Sequence, residues 1–344
     1  MAEFVPLPLQ SDPPVLEPAG VPNPFDDRAT AVSFIVCTRN RLAQLQACVA
    51  SIGIACRSRP RLAAELIIVD NASSDGTGEW LAKTAESPSL PMRRVFEPRG
   101  GLAAARNAGL ENACGGILVF IDDDCEIHPD FMRDLERHYA ADECCVIRGG
   151  CVELGNPDDL PFTIKRSPKP ARLTLNVHPG GFVLGCNMTM HREVAERLGR
   201  FDERFGAGGP LHSAEDTDYL VRAFLLGIPI EYVPDMTVFH NHGRNDRAAV
   251  EALHRSYSLG NGGLCLKHFR TAPWLLRHFY WTLRAAFKEL WGGPPFDPDL
   301  QLSHWPIVVM NLLGGLKFAR MVLTQLQVAQ VRRPPALNKV LKTR

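Results

Sequence analysis

Along the first two-thirds of the chain the spacing of apolar positions switches repeatedly between two periods. "AVSFIVCT", "AELIIVD", "MRRVFEP" and "GGILVFIDD" are short apolar runs of strand length, whereas "RLAQLQACVASI", "GTGEWLAKTAE" and "GLAAARNAGLENA" space their apolar residues as helices do. Strand and helix in strict alternation predict an α/β fold, a mostly parallel sheet with helices on both faces. In such sheets ligands collect at the carboxyl ends of the strands.

Further on the rhythm loosens. "CVIRGGCVEL" reads as a strand, the segment from Gly155 to Pro179 as loop, and "GFVLGCNMTMHREVAERLGRFDE" as a strand running into a helix. A glycine-rich loop, "GAGGPLHSAED", precedes a helix "TDYLVRAFLLG" and a strand "IEYVPDMTVFH". From about Asp246 the pattern is mainly helical, with breaks expected at "LGNGG" and "GGPPFDPD". At the other end, Pro6, Pro8, Pro13, Pro14, Pro18, Pro22 and Pro24 forbid helix and predict an extended arm. The chain therefore divides into an arm (1–30), an α/β domain (31–245) and a helical region (246–344).

Composition adds limits. With 344 residues, 45% of them hydrophobic, the chain can bury a full core. Lys plus Arg (38) equals Asp plus Glu (38), so no global field favours nucleic acid as a partner, and any anion must be held locally. Ten cysteines without a CxxC pair point to a reducing, cytoplasmic setting, with Cys37, Cys48, Cys114 and Cys186 as small hydrophobes in apolar runs. The opening residues MAEFVPLPLQ lack a secretory pattern, and apolar stretches such as Trp305 to Leu316 fall short of a bilayer span. The expectation is a protein that is soluble or lies on a membrane surface.

Candidate chemistry begins where the fourth strand ends, in "FIDDDCE". Neighbouring carboxylates repel by about 3 kcal/mol at ~5 Å and an effective dielectric of ~20, so Asp122, Asp123 and Asp124 need a partner. Strand alternation puts Asp122 and Asp124 on one side, able to converge on a hard divalent cation such as Mn²⁺ or Mg²⁺, and Asp123 on the other. Other strand ends supply Thr38 and Arg39 in "IVCTRN", Asp70 in "IIVDNASSDGT", and Arg106 in "EPRGGLAAARN". The first turn has no glycine, which excludes a dinucleotide dehydrogenase.

As a set, "VSFIVCTRNR", "IIVDNASSDGT", "RGGLAAARNAG" and "FIDDD" resemble the family 2 glycosyltransferases of the GT-A fold, over Val32 to Arg244. The resemblance implies a nucleotide diphosphate-sugar donor lying near Thr38, Arg39, Asp70, Arg106, Asp122 and Asp123. Asp70 would accept a hydrogen bond from the base, Asp122 would lie nearer the ribose, and Asp124 would bind the metal. It further implies that the acidic pair in "HSAEDTDYL" supplies the general base, Asp216, and that a histidine in "VFHNHGR" completes the metal shell. His240 ends the apolar strand and is preferred to His242. The local alternative for Asp216 is a capping box with Ser213, and for Asp218 an ion pair with Arg222.

The implied activity is inverting sugar transfer to a glycan or lipid-linked acceptor. A sugar nucleotidyltransferase and a non-catalytic sugar-nucleotide-binding protein are the alternatives; the first lacks its basic glycine-rich loop. Finally, "APWLLRHFYWTLRAAFKELW" places Arg277, Arg284 and Lys288 as a stripe on an apolar helix. Such a helix suits a membrane interface, or equally packing against the catalytic domain or a second subunit.

Overall fold

The computed structural model describes residues 30–84 and 90–331; the proline-rich arm lies outside them. Four of the predicted strands form one half of a sheet: β1 (Val32–Thr38), β2 (Ala64–Asp70), β3 (Met92–Phe96) and β4 (Ile117–Asp122). They alternate with α1 (Leu42–Arg57), α2 (Thr77–Thr84) and α3 (Leu102–Asn112). A short strand, β5 (Cys125–Ile127), and α4 (Phe131–Tyr139) follow. The remaining elements are β6 (Ile147–Leu154), β7 (Ala171–Arg172), β8 (Asn187–His191), α5 (Arg192–Leu198), α6 (Glu215–Leu225) and β9 (Ile230–His240). Three helices end the described residues, α7 (Arg247–Lys267), α8 (Leu275–Glu289) and α9 (His304–Val331).

The strand order is β3-β2-β1-β4-β8-β6-β9-β5, with β7 paired to β9. The β3-β2-β1-β4 half is parallel, while β8 runs antiparallel between β4 and β6. Strands covered on both faces carry apolar side chains without alternation, and β1 and β4 are buried along almost their whole length. Helices α1 and α4 share one core with Phe34, Val36, Ile68 and Val119, and α3 and α6 share the other with Ile35, Val69 and Phe120.

Register is what positions chemistry. Thr38 lies opposite Asp70, and Cys37 opposite Asp122, so three strands finish at one level. After β1 the chain moves out through β2 and β3 and returns on the other side as β4, which makes the β1/β4 boundary a topological switch point. From the far side β5 and β9 pair antiparallel, bringing His240 opposite Cys125 and so beside the acidic turn.

In two respects the helical region differs from the sequence expectation. "LGNGG" does not break α7, which runs through Gly260, Gly262 and Gly263. Its glycines instead admit a neighbouring backbone: a Cβ on Gly262 would overlap the carbonyl of Asn311 in α9, and one on Gly314 that of Leu259 in α7. Likewise, the apolar stretch does not stop at Leu316; His304–Thr324 is long and apolar enough to cross a membrane by length and composition, with 17% of it buried.

An interior helical glycine normally costs up to about 1 kcal/mol relative to alanine, so Gly→Ala ordinarily stabilises. At the α7/α9 crossing the sign should reverse: Gly314→Ala is expected to lose about 1–3 kcal/mol by overpacking. Denaturant unfolding of the two proteins checks this, and a gain in midpoint would contradict the close helix contact.

Candidate active site

β4 ends at Asp122, and Asp123 and Asp124 form the turn into β5. The strand alternation therefore stops one residue too early to separate Asp123 from Asp124. Instead both accept from a single guanidinium: Arg41 Nη1 donates to Asp123 Oδ1 at 3.2 Å and to Asp124 Oδ2 at 2.6 Å. Asp123 Oδ2 also accepts from the Thr38 hydroxyl at 2.7 Å. Arg39 is exposed, its guanidinium beside Gly100. Arg41 was missed by the sequence reading, although three consecutive acids demand a local cation and "TRNR" offers two.

On the opposite flank of Asp124 stands His240, its Nε2 3.4 Å from Asp124 Oδ1 and its Nδ1 3.2 Å from the Thr163 hydroxyl. Burial works against charge on this imidazole, but the Asp124 carboxylate outweighs it and pushes the histidine up to about 9. For Asp124 burial again acts first and upward; His240 and then Arg41 prevail and hold it at about 2. Burial dominates at Asp123, which is pushed up to about 6. His242 faces elsewhere: its Nδ1 accepts from the Arg244 N–H at 3.0 Å and its Nε2 lies 3.1 Å from the Leu160 carbonyl.

Arg106, on α3, is fully buried and spans two acids. Its Nη1 donates to Glu215 Oε1 at 2.8 Å and its Nη2 to Asp122 Oδ1 at 3.2 Å. It thereby ties the end of β4 to the first residue of α6, which begins at Glu215, two residues before the expected start. Burial pushes the Glu215 carboxyl up to about 7 despite the guanidinium. The acidic pair thus divides: Glu215 serves Arg106, and the half-buried Asp216 faces the loop before β8. Asp216 Oδ2 accepts from the Gly185 N–H at 3.1 Å and Oδ1 from the Thr217 N–H at 2.6 Å. Gly185 has no room for a side chain, since a Cβ would lie 2.6 Å from Arg106 Nη2 and 3.0 Å from Asp216 Oδ2.

No capping box forms. The residue before α6 is Ala214, held at φ 72°, and the Ser213 hydroxyl donates to the Ser256 carbonyl on α7. His212 also has a positive φ, 62°, and such backbone is costly for residues with a Cβ, of the order of 1 kcal/mol or more each. Asp218 turns into the protein, where it meets Arg222 at 2.9 Å, Lys267 at 2.6 Å and His268 at 2.8 Å. At the end of β2, Asp70 is buried and accepts from the Ser73 N–H at 2.9 Å and from Arg94 at 3.2 Å.

The structure therefore brings Thr38, Asp122, Asp123, Asp124, Arg106, Asp216 and His240 into one linked cluster, with Asp70 at the same sheet level. A carboxylate and an imidazole 3.4 Å apart suit adjacent positions around a small divalent ion. Two ligands at ~2.1 Å and a right angle are separated by about 3 Å. The carboxylate oxygen of Asp124 is a donor of the kind Mn²⁺ or Mg²⁺ takes.

Residues 33–199 match the family model described as glycosyl transferase family 2. The chain belongs to that family. Among curated relatives of this family 2 glycosyltransferase, glycosyltransferase AglE of Haloferax volcanii is 24% identical over 262 residues, 76% of this chain and 79% of AglE. The succinoglycan biosynthesis protein ExoM of Rhizobium meliloti is 27% identical over 225 residues, 63% and 69% of the two chains. Among solved structures, mannosyltransferase PcManGT from Pyrobaculum calidifontis, in complex with GDP-Man and Mn²⁺, superposes with a TM-score of 0.52 at 20% identity, covering 90% of this chain and 79% of that one. S. aureus TarS 1-349 in complex with UDP-GlcNAc gives 0.51 at 16% identity, over 87% and 92%. These likenesses establish the GT-A fold of the enzyme. Asp216 and His240 lie beyond the matched residues of the family model.

Proposed function

We propose that this glycosyltransferase moves a sugar, with inversion, from a nucleotide diphosphate-sugar to an acceptor hydroxyl during synthesis of a cell-surface polysaccharide or glycolipid. The observation that carries the reading is the placement of Asp216. Its carboxylate is oriented by two backbone N–H groups and stands one residue from Glu215, which reaches the strand-end acids through Arg106. Oδ1 accepts from both the N–H and the hydroxyl of Thr217, whereas Oδ2 accepts only from the Gly185 N–H and retains a lone pair for a substrate proton.

In this reading the nucleotide lies across the strand ends, with Thr38, Arg39 and Asp70 toward the base and Asp122 toward the ribose. Asp124 and His240 would hold a divalent cation, which when bound offsets charge on the departing diphosphate. Asp216 takes the proton of the acceptor hydroxyl as its oxygen forms the new bond to the anomeric carbon, and the nucleoside diphosphate leaves from the opposite face. A single displacement needs no covalent enzyme intermediate. Support comes from the GDP-Man and Mn²⁺ in the PcManGT complex, the UDP-GlcNAc in the TarS complex, and the succinoglycan role in the name of ExoM.

The second part of the proposal is that the enzyme rests on the cytoplasmic face of an anionic membrane, near a lipid-linked acceptor. Helix α8 and the turn after it expose Tyr280, Trp281, Phe287, Leu290 and Trp291, and α9 exposes Leu312, Leu313, Leu316 and Leu323. Exposed Arg284, Lys288, Lys317 and Arg320 accompany them, a composition that matches the headgroup boundary. Arg277 leaves the expected stripe; it donates to the Leu175 carbonyl and to Asn176 in the loop before β8.

Asp216→Asn is expected to reduce transfer by roughly 10²–10⁴-fold, the scale of general-base catalysis, while donor binding by calorimetry stays near the parent value. An active Asn variant would remove Asp216 from the mechanism, and pyrophosphate rather than nucleoside diphosphate as product would favour the nucleotidyltransferase. On the membrane side, the protein should float with phosphatidylglycerol vesicles at low salt and less with phosphatidylcholine; recovery wholly in the soluble fraction would refute surface binding.

A further inference from the structure

Cys125, Cys186 and His240 are all buried, and one ligand atom from each lies within 4.8 Å of the others. They come from three separate elements. Cys125 opens β5, His240 closes β9 directly opposite it, and Cys186 immediately precedes β8. Asp124 completes the group: its Oδ1 is 3.9 Å from Cys125 Sγ and 3.4 Å from His240 Nε2. Two thiols, an imidazole and a carboxylate around one point make a tetrahedral set of the kind Zn²⁺ takes. Ligand atoms on such an ion stand about 3–4 Å apart, so the observed cluster needs to contract by about 1 Å.

The proposed transfer cation has no use for the sulfurs, because Mn²⁺ and Mg²⁺ select oxygen, whereas thiolates select Zn²⁺ and its softer congeners. We infer that Cys125, Cys186, His240 and Asp124 form a second, thiophilic cation site, for Zn²⁺ or Cd²⁺, that overlaps the transfer cation's site and excludes Mn²⁺ when filled. On binding, each thiol releases its proton to solvent and each sulfur donates an electron pair to the ion; no redox change occurs. Binding by the four residues stands on their geometry alone, and its inhibitory consequence rests on the assignment of Asp124 and His240 above.

The test uses the full chain under reducing conditions and Cd²⁺ as the probe. Titration should produce thiolate-to-cadmium charge-transfer absorption that saturates near one equivalent, and Cys125→Ala with Cys186→Ala should lower cadmium affinity by at least roughly tenfold, the scale at which even outer-shell partners act. Unchanged circular dichroism and Mn²⁺ binding show that the double variant is folded. Parent protein that gives no charge-transfer band, or a double variant that keeps it, overturns the site. Cadmium-loaded parent should also fail to bind Mn²⁺ in the presence of uridine or guanosine diphosphate; cadmium on both thiols with Mn²⁺ binding intact would overturn the overlap and leave the thiol site standing.

Discussion

Charge compensation at the strand ends governs this structure. Asp122, Asp123, Asp124 and Glu215 gather at the carboxyl end of β4, in the middle of the sheet, where carboxylates a few ångströms apart repel by about 3 kcal/mol per pair. Each acid is matched by a cation brought from elsewhere: Arg41 from the turn before α1, Arg106 from α3 and His240 from the end of β9. Burial intensifies both sides of the balance. It is the leading influence at Asp123 and Glu215, which are pushed up, whereas at Asp124 two cations together reverse it.

The sheet makes that crowding possible. Parallel register levels the ends of β1, β2 and β4, and the antiparallel pairing of β5 with β9 returns His240 to the same place from the far edge. Helix α6 is tied in through Glu215 and Arg106, so the acids separated by about ninety residues of sequence form one electrostatic unit. Behind α6, Asp218 is neutralised by Arg222, Lys267 and His268, which couples the domain to α7. The glycine-lined crossing of α7 and α9 then carries the exposed apolar helices at the periphery.

Much of this was legible in the chain. The strand–helix alternation gave the sheet, because buried parallel strands write themselves as continuous apolar runs, and the acids at the end of β4 marked the site. What escaped were features set by tertiary contact. Whether Arg39 or Arg41 meets the acids depends on how the chain leaves β1, which a linear spacing does not encode. Asp123 and Asp124 share a guanidinium because β4 ends one residue before the alternation would part them. The glycines of α7 resemble a helix break until α9 is seen against them. Ser213 and Asp216 have capping-box spacing, yet a left-handed Ala214 intervenes and both side chains find other partners.

Arg41 and His240 hold Asp124 from two sides, and the cation of the proposed mechanism would displace or join them there. Mn²⁺ electron paramagnetic resonance on the parent and on Asp124→Asn, each with guanosine or uridine diphosphate, tests this most directly. The parent is expected to deplete the free-ion signal at concentrations where the variant leaves it unchanged. Equal depletion by both proteins would contradict it.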